Sequence, residues 1–148
     1  MKIALMMENS QANKNAIILN ELNAVAEEKG FPVYNVGMSD ENDHHLTYIH
    51  LGIMASILLN SKAVDFVVTG CGTGQGALMS LNIHPGVVCG YCIDPADAFL
   101  LAAHRVVDAV ALRQHAGIDA HEGELADVGV GHQLEGQRRE RLVVARMT

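Results

Sequence analysis

The sequence predicts an α/β domain: a doubly wound, mostly parallel five-stranded sheet (Rossmann-like) with helices on both faces. Five short apolar runs typical of buried strands alternate with helix-type stretches between residues 1 and 113. Their connections are short, and strand–helix–strand units of this kind form parallel sheets covered on both sides. We expect an α/β domain at 1–113, followed by an atypical, irregular C-terminal tail at 114–148.

The elements follow one another in a regular order. Strands are predicted in five apolar runs: KIALMM (2–7), FPVYNVG (31–37), AVDFVVTG (63–70), GVVCGYCI (86–93) and VVDAVAL (106–112). Helices are predicted between them, at 12–29, 46–61, 75–84 and 95–104. The second helix has apolar residues around much of its circumference, which predicts burial on more than one side. Because the carboxyl ends of parallel strands meet at one edge, we expect the turns after the strands to share one rim, where such sheets bind ligands.

Composition favours a globular protein that acts on small molecules. The 148 residues are 49% hydrophobic with a formal net charge of −7, which argues against nucleic acid as a partner. No apolar run approaches the roughly 20 residues of a membrane span. The opening MKIALMM passes directly into polar sequence, so we interpret it as a first strand and expect a cytoplasmic protein.

The tail differs from the domain in its charged residues. All four lysines lie at or before Lys62, and all six arginines lie at or after Arg105. Between 115 and 137 neither helical nor strand periodicity is present. This abrupt change of composition is the reason for placing a boundary near residue 113.

Three cysteines, an odd number, are typical of a reducing compartment. Cys89 and Cys92 have the C-x-x-C spacing of zinc and redox sites. In a strand, however, an offset of three directs two side chains to opposite faces. We therefore predict that both are small core residues. The acidic, histidine-containing loop SDENDHH at 39–45 is interpreted as a solvated loop at the substrate rim, because adjacent loop residues rarely provide a metal's tetrahedral geometry.

The glycine-rich turn in VVTGCGTGQGALMS (67–80) is the most informative segment. A phosphate-binding P-loop requires a lysine after the glycines, and no lysine follows Lys62. Gly72, Gly74 and Ala77 fit the dinucleotide pattern G-x-G-x-x-A, with Asp94 in the position of a ribose-binding acid. That pattern normally follows the first strand, whereas this turn follows the third, so we give it less weight.

A catalytic turn is the third interpretation. Cys71 lies just before a helix N-terminus, where backbone N–H groups and the helix dipole favour a thiolate. Glycines let the backbone approach a ligand closely, so the same amides can bind an anion or a developing oxyanion. The residues alone leave a second possibility open, in which Cys71 is a small side chain tucked under the turn.

A family resemblance favours the catalytic interpretation. The segment TGCGTGQGALMSLNIHPGVVCGYCIDPADA resembles the signature region of the ribose-5-phosphate isomerase B / galactose-6-phosphate isomerase family, with its Gly-Cys-Gly-Thr-Gly turn and acid-Pro pair. The likeness extends over roughly residues 1–104. The opening MKIALMMENSQANKN, with LTY and ILLNSKAVDFVVTGCGTG, is similar to the branch with 4-deoxy-L-threo-5-hexosulose-uronate ketol-isomerase activity.

The resemblance implies an aldose–ketose isomerase that works through an enediolate, without cofactor or metal. It implies Cys71 as the base, Thr73 as an aid to ring opening, and an anion-binding backbone at Gly72, Gly74 and Gly76. The substrate would be a keto-uronate or a sugar phosphate, and the protein a homodimer or a dimer of dimers. A non-catalytic module that binds a nucleotide or a sugar anion is the alternative.

Four further positions carry weaker expectations. Glu8 and Asn9 stand where the family has an Asp-His pair, and we expect them to contact the substrate, with Glu8 bonded to sugar hydroxyls. The alternative is that Glu8 is a surface turn acid and that Asn9 or Ser10 caps the next helix. Asp94 is expected to orient the loop or a hydroxyl, or to form a turn. His104 has the spacing of the family's ring-opening histidine, although Arg105 replaces the asparagine beside it.

Overall fold

The computed structural model describes residues 1–38, 40, 42–43, 45–104 and 107–113. The predicted tail at 114–148 lies outside these residues, so its irregular structure stays a prediction, as does the domain boundary.

Five strands and five helical segments lie in the described part of the chain. The strands are β1 (Ile3–Met7), β2 (Val33–Asn35), β3 (Phe66–Cys71), β4 (Cys89–Cys92) and β5 (Ala109–Arg113). The helices are the 3-10 helix η1 (Asn9–Lys14), α1 (Asn15–Glu28), α2 (Tyr48–Asn60), α3 (Gln75–Asn82) and α4 (Pro95–His104). None of these helices has the length and apolar character that a membrane crossing requires.

The five strands form one sheet in the order β2-β1-β3-β5-β4, and every pair is parallel. The predicted doubly wound α/β fold is confirmed. The chain leaves β1 toward β2 on one side and returns to β3 on the other. The carboxyl ends of β1 and β3 therefore flank a topological switch point, where sheets of this type form a binding crevice.

Helices cover both faces of the sheet. The buried cluster on one face includes Leu51 and Ala55 of α2 and Leu81 of α3. The cluster on the other face includes Leu22 of α1 and Ala98 of α4. Each strand contributes alternate side chains to the two clusters, because successive residues of a strand point to opposite sides.

Cys89 and Cys92 confirm this alternation. Cys89 belongs to the cluster under α2 and α3, and Cys92 to the cluster under α1 and α4. Burial raises the pKa of each thiol to about 12, and for Cys92 the nearby carboxylates of Asp97 and Asp94 add to the effect. Both are protonated core residues, as predicted.

Two predicted helices differ from the observed ones. The first residues of the helix predicted at 12–29 belong to η1, a 3-10 helix that ends at Lys14, and α1 begins only at Asn15. Within η1, Gln11 adopts non-helical angles (φ −122°, ψ 18°). This segment is rich in Asn and Ser, whose side chains compete with the helical backbone. In α2, Leu51, Ala55 and Leu59 are buried, whereas a second apolar stripe is exposed in the single chain: Ile49, Ile53 and Ile57. In the single chain, the prediction that α2 is buried on more than one side is therefore wrong.

Candidate active site

At the switch point, three functional side chains lie at the same level of the sheet; two of them, Glu8 and Cys71, were predicted as site residues, and the third is Arg113. Met7 of β1 is in register with Gly70 of β3, and the Glu8 N–H donates to the Gly70 carbonyl at 3.2 Å. Continuing this register by one residue sets Glu8 beside Cys71. On the other side of Cys71, its register partner in β5 is Arg113. A carboxylate, a thiol and a guanidinium are thus carried by three adjacent strands.

These three residues share one face of the sheet. Cys71 belongs to the cluster under α2 and α3, as do the preceding alternate residues of the three strands, Ala4, Met6, Val67, Ala109 and Ala111. Glu8 keeps an extended backbone (φ −88°, ψ 169°), and Arg113 is still within β5. By the alternation of strands, Glu8 and Arg113 therefore project to the same side as Cys71.

Glu8 is a buried carboxylate, only 5% exposed. The Ser10 hydroxyl donates to Glu8 Oε1, and Gln11 Nε2 donates to the same hydroxyl oxygen at 3.3 Å. Asn9, which begins η1, is half-buried, and its backbone N–H donates to the Leu46 carbonyl at 2.8 Å. The first turn is therefore tied both to its own polar residues and to the segment that leads into α2.

Cys71 is also buried, with 5% of its surface exposed. It lies in the same cluster as Ala77 of α3, and its carbonyl accepts the Gly74 N–H at 3.1 Å. The thiol is thus tucked under the glycine turn, which is the arrangement that the residues alone left open. Exposure rises immediately after it, since Gly72 is half-buried and Thr73 is exposed.

The shape of the turn depends on Gly74. Its φ of +79° is left-handed, and a Cβ there would lie 2.6 Å from the Tyr91 ring and 3.1 Å from the Leu112 carbonyl oxygen. The Tyr91 hydroxyl donates to the Thr73 carbonyl at 2.7 Å, while Thr73 Oγ1 accepts the Gln75 N–H at 3.3 Å. The turn is therefore held by a side chain from β4 and leads directly into α3.

Gly76 serves close packing at the start of α3. A Cβ at this position would lie 3.0 Å from Cγ of Tyr48, the first residue of α2. The absence of a side chain lets the half-exposed Tyr48 ring lie against the turn. An aromatic wall next to the glycine amides results.

Asp94 lies apart from these residues. It follows β4, two strand spacings or roughly 10 Å across the sheet from β3. Its Oδ1 accepts the N–H groups of Ala96 at 2.7 Å and Asp97 at 3.0 Å. Asp94 therefore caps α4, the turn-forming alternative that the sequence suggested.

His104 lies still further from Cys71. It is the last residue of α4, which starts at the carboxyl end of β4 and returns to the amino end of β5. With six residues in β3, the amino and carboxyl ends of the strands are roughly 15 Å apart. Within one chain, the backbone of His104 thus lies at the amino ends of the strands, whereas Cys71 lies at the carboxyl ends.

Arg113, Tyr48 and Tyr91 were not foreseen as site residues. Arg113 directly follows a predicted strand at the rim where ligands bind, so the rule that located Glu8 could also have located it. The tyrosines carry no such signal, because their positions depend on how α2 and β4 pack around the turn. Among the described residues, no group of three or more His, Cys, Asp or Glu side chains is placed to hold a metal ion.

Comparisons with known proteins agree with this architecture. A ribose-5-phosphate isomerase from Vibrio parahaemolyticus is 59% identical, with a TM-score of 0.82. A 4-deoxy-L-threo-5-hexosulose-uronate ketol-isomerase complexed with a tartrate is 43% identical, also with a TM-score of 0.82. In both cases the similarity covers 99% of this chain and 63% of the other, so this chain spans less than two thirds of their length.

More distant structures share the fold alone. The ribose 5-phosphate isomerase of Thermotoga maritima is 22% identical over 90% of this chain and 85% of its own, with a TM-score of 0.64. Curated proteins provide no match. The Ribose/Galactose Isomerase family matches residues 3–145, well past residue 104, where the resemblance noted in the sequence ends. By this match over nearly its whole length, the chain belongs to the Ribose/Galactose Isomerase family.

Proposed function

We propose that this chain is a sugar isomerase that moves a proton between adjacent carbons, with Cys71 as the base. The observation that carries the proposal is the row Glu8–Cys71–Arg113 at the switch point, next to a glycine turn that opens a helix. A base, a hydrogen-bonding carboxylate and a cation at one crevice are the groups that isomerisation of an acidic sugar requires.

The chemistry balances without a cofactor. The Cys71 thiolate removes a proton from the carbon next to the substrate carbonyl, and the C–H electron pair moves into a carbon–carbon double bond as the carbonyl oxygen becomes an enediolate oxygen. The proton of the adjacent hydroxyl then passes to the enediolate oxygen, the carbon that carried this hydroxyl becomes the new carbonyl, and the thiol returns its proton to the former carbonyl carbon.

The glycine turn would stabilise the negative charge of the enediolate. Two amides already have acceptors within the turn, because the Gly74 N–H donates to the Cys71 carbonyl and the Gln75 N–H donates to Thr73 Oγ1. We assign the oxyanion to the amides of Gly72, Thr73 and Gly76, and ring opening to the exposed Thr73 hydroxyl. Gly74 contributes the left-handed conformation that gives the turn its shape.

A keto-uronate, 4-deoxy-L-threo-5-hexosulose uronate, is the substrate we favour. Arg113 would hold its carboxylate, because a guanidinium binds a carboxylate through two hydrogen bonds. The buried carboxylate of Glu8 lies in the same row, and a phosphate with about two negative charges meets more repulsion there than a carboxylate with one. The 43% identity to a ketol-isomerase of this substrate supports the choice, and a ribose or galactose phosphate is the second candidate.

The test is the exchange of substrate hydrogen with solvent. In heavy water, the wild-type protein should incorporate deuterium into the keto-uronate at the isomerised carbon, and more slowly into pentose phosphates. Cys71→Ser should lower this incorporation by at least about a thousandfold while it leaves the fold intact. Cys92→Ser is the matched control, since it alters a buried thiol that lies outside the crevice.

A non-catalytic sugar-anion binding module is the competing function, and the buried position of Cys71 is the observation in its favour. It predicts ligand binding with no deuterium incorporation in any protein variant. Full incorporation by Cys71→Ser would remove Cys71 from the mechanism.

We also propose a homodimer. Exposed apolar side chains follow one another at helical spacing on two helices that pack together: Ile49, Ile53, Ile57, Met79 and Ile83. A second copy would bury them. The backbone of His104 is far from Cys71 within one chain, so the part in ring opening expected of His104, beside Thr73, would also require such a copy. Ile53→Glu should then yield monomers by light scattering, whereas Ile17→Glu on α1, equally exposed at 44% against 47%, should not. A monomeric wild-type protein would contradict the homodimer.

A further inference from the structure

Two amide side chains near the first turn are buried with an unpaired oxygen. Gln11 of η1 is 6% exposed, and Asn15, the first residue of α1, is 1% exposed. Gln11 Oε1 and Asn15 Oδ1 are both inaccessible to solvent and have no hydrogen-bond partner in the part of the chain that the structure describes. The Asn15 N–H donates to the carbonyl of Ala12, the residue after Gln11, so Asn15 lies one 3-10 turn beyond the neighbour of Gln11.

Such oxygens are costly to keep unpaired. A buried acceptor that loses its water without gaining a donor opposes folding, whereas an apolar side chain of similar shape would not. Asn82 shows what a structural amide in this chain looks like. Its Nδ2 donates to Leu78 and Cys89 carbonyls at 3.0 and 2.9 Å, and its Oδ1 accepts the Cys89 N–H at 2.9 Å. Gln11 and Asn15 therefore await donors from outside the described chain.

The unpaired oxygens belong to the same corner as the candidate site. Gln11 Nε2 donates to Ser10, whose hydroxyl donates to Glu8, so a single hydroxyl separates the amide from the carboxylate. The Gln11 backbone N–H also donates to the Glu8 carbonyl at 3.1 Å. In addition, η1 packs against β3, the strand that carries Cys71. With the amide nitrogen of Gln11 already engaged, its oxygen is the group left to bind a ligand.

We propose that Gln11 and Asn15 form a hydroxyl-binding subsite next to Glu8, which selects substrates with free hydroxyl groups beside the reacting carbons. Both oxygens are inaccessible to solvent in the single chain, so a local shift of η1 accompanies binding. The proposal rests on the proposed function, in which the ligand is a polyhydroxylated sugar acid. Amide oxygens suit this task because they accept hydroxyl protons without adding negative charge. Carboxylates in their place would repel an anionic substrate.

Binding of two small dicarboxylates tests the subsite without any turnover. Tartrate and succinate have the same carbon chain and the same two carboxylates, and they differ only in the two hydroxyls of tartrate. Isothermal titration of the full-length protein should give at least about tenfold tighter binding of tartrate. Gln11→Met and Asn15→Leu should each reduce this ratio by about fivefold while succinate affinity stays the same, and neither should lower the melting temperature.

The control variant is Asn82→Leu, in which a fully bonded amide is lost. It should lower the melting temperature and leave the tartrate-to-succinate ratio unchanged. If Gln11→Met and Asn15→Leu behave in that way, or if the wild-type protein binds both acids equally, the oxygens bind water or serve the fold and the subsite is overturned.

The two proposals fail separately. Cys71→Ser should keep the preference for tartrate, because its change lies in the base and not in the amides. A normal ratio with no deuterium incorporation by the wild type would sink the isomerase and retain the subsite, whereas incorporation with an unaltered ratio in both amide variants would do the reverse.

Discussion

The carboxyl ends of β1 and β4 both present a carboxylate to the rim, yet the two are used differently. Asp94, after β4, is exposed, and its Oδ1 accepts hydrogen bonds from two backbone N–H groups of α4. Glu8, after β1, is buried beside a buried cysteine and is linked through Ser10 to an amide whose oxygen has no partner among the described residues. Asp94 caps a helix, whereas Glu8 belongs to a polar crevice in which not every buried polar atom has a hydrogen-bond partner among the described residues.

This difference separates structural from functional polar groups better than residue type does. A turn acid bonded to its own backbone lowers the free energy of the fold and has little left to offer a ligand. Buried polar atoms without partners oppose folding, so their presence indicates a partner that the described residues do not supply. Four predictions test the contrast, in order of decreasing effect at neutral pH.

Gly74→Ala should have the largest effect. It combines an unfavourable φ of +79° with a Cβ 2.6 Å from the Tyr91 ring, so we expect a loss of at least about 2 kcal/mol of stability together with nearly all activity. Urea unfolding measures the first and deuterium incorporation the second. Gly30→Ala is the control, since its φ of +67° is similar but its Cβ would meet open space. Equal losses in the two variants would show that packing around the turn is unimportant.

Arg113→Ala should weaken substrate binding in the crevice at the carboxyl ends of β1, β3 and β5. Loss of a charged hydrogen-bonding partner costs about 2 kcal/mol, or roughly a thirtyfold rise in KM for the keto-uronate with a smaller change in kcat. Arg113→Lys should recover part of the affinity, because it retains the charge but not the two-pronged geometry. Steady-state kinetics measures both, and an unchanged KM would exclude Arg113 from the crevice.

Asp94→Ala should affect stability alone. Loss of a helix N-cap costs about 1 kcal/mol, which chemical denaturation can measure, while KM and kcat should remain near their wild-type values. Asp94→Asn retains an N-cap acceptor and should recover most of the stability. A large fall in kcat in a folded Asp94→Ala protein would transfer Asp94 to the active site and end the contrast with Glu8.

The last effect is absent at neutral pH and is expected only in alkaline solution. Cys89 and Cys92 have pKa values raised to about 12 in the folded protein from an ordinary value of 9.0. Between these values the unfolded chain has lost thiol protons that the folded chain retains, so stability should fall as pH rises, by roughly 1 kcal/mol per thiol at about pH 10. Cys89→Ala and Cys92→Ala should each flatten the decline above pH 9. A slope identical to that of the wild type would contradict thiol titration as its cause.

Much of this architecture could be predicted from the sequence because it depends on local patterns. Alternating apolar runs and short connections were enough for the parallel sheet, and the motif at 70–76 located the turn between β3 and α3. The insertion of β5 between β3 and β4 is decided by packing of whole strands, and no local pattern records it. The position of Arg113 beside Cys71 follows from the strand order and could not be predicted locally. The distance of His104 from Cys71 follows from the length and direction of α4.

The division of the first predicted helix has the same kind of cause. Apolar periodicity continues through 12–29, but residues 12–14 belong to the 3-10 helix η1, whose polar side chains bond locally. The sequence carries no sign that two of these polar groups are buried, because Gln and Asn are usually exposed. The unpaired oxygens could be recognised only after the chain was folded.

The hydroxyl of Tyr91 has one further consequence. It reaches from the edge strand β4, past the end of β5, to the carbonyl of Thr73, and so fastens the glycine loop to the outermost element of the sheet. The loop and the edge should open together in amide hydrogen exchange, as one cooperative unit. Fraying of the β4 border would then be transmitted to the reaction centre, and Tyr91→Phe should separate the two opening rates.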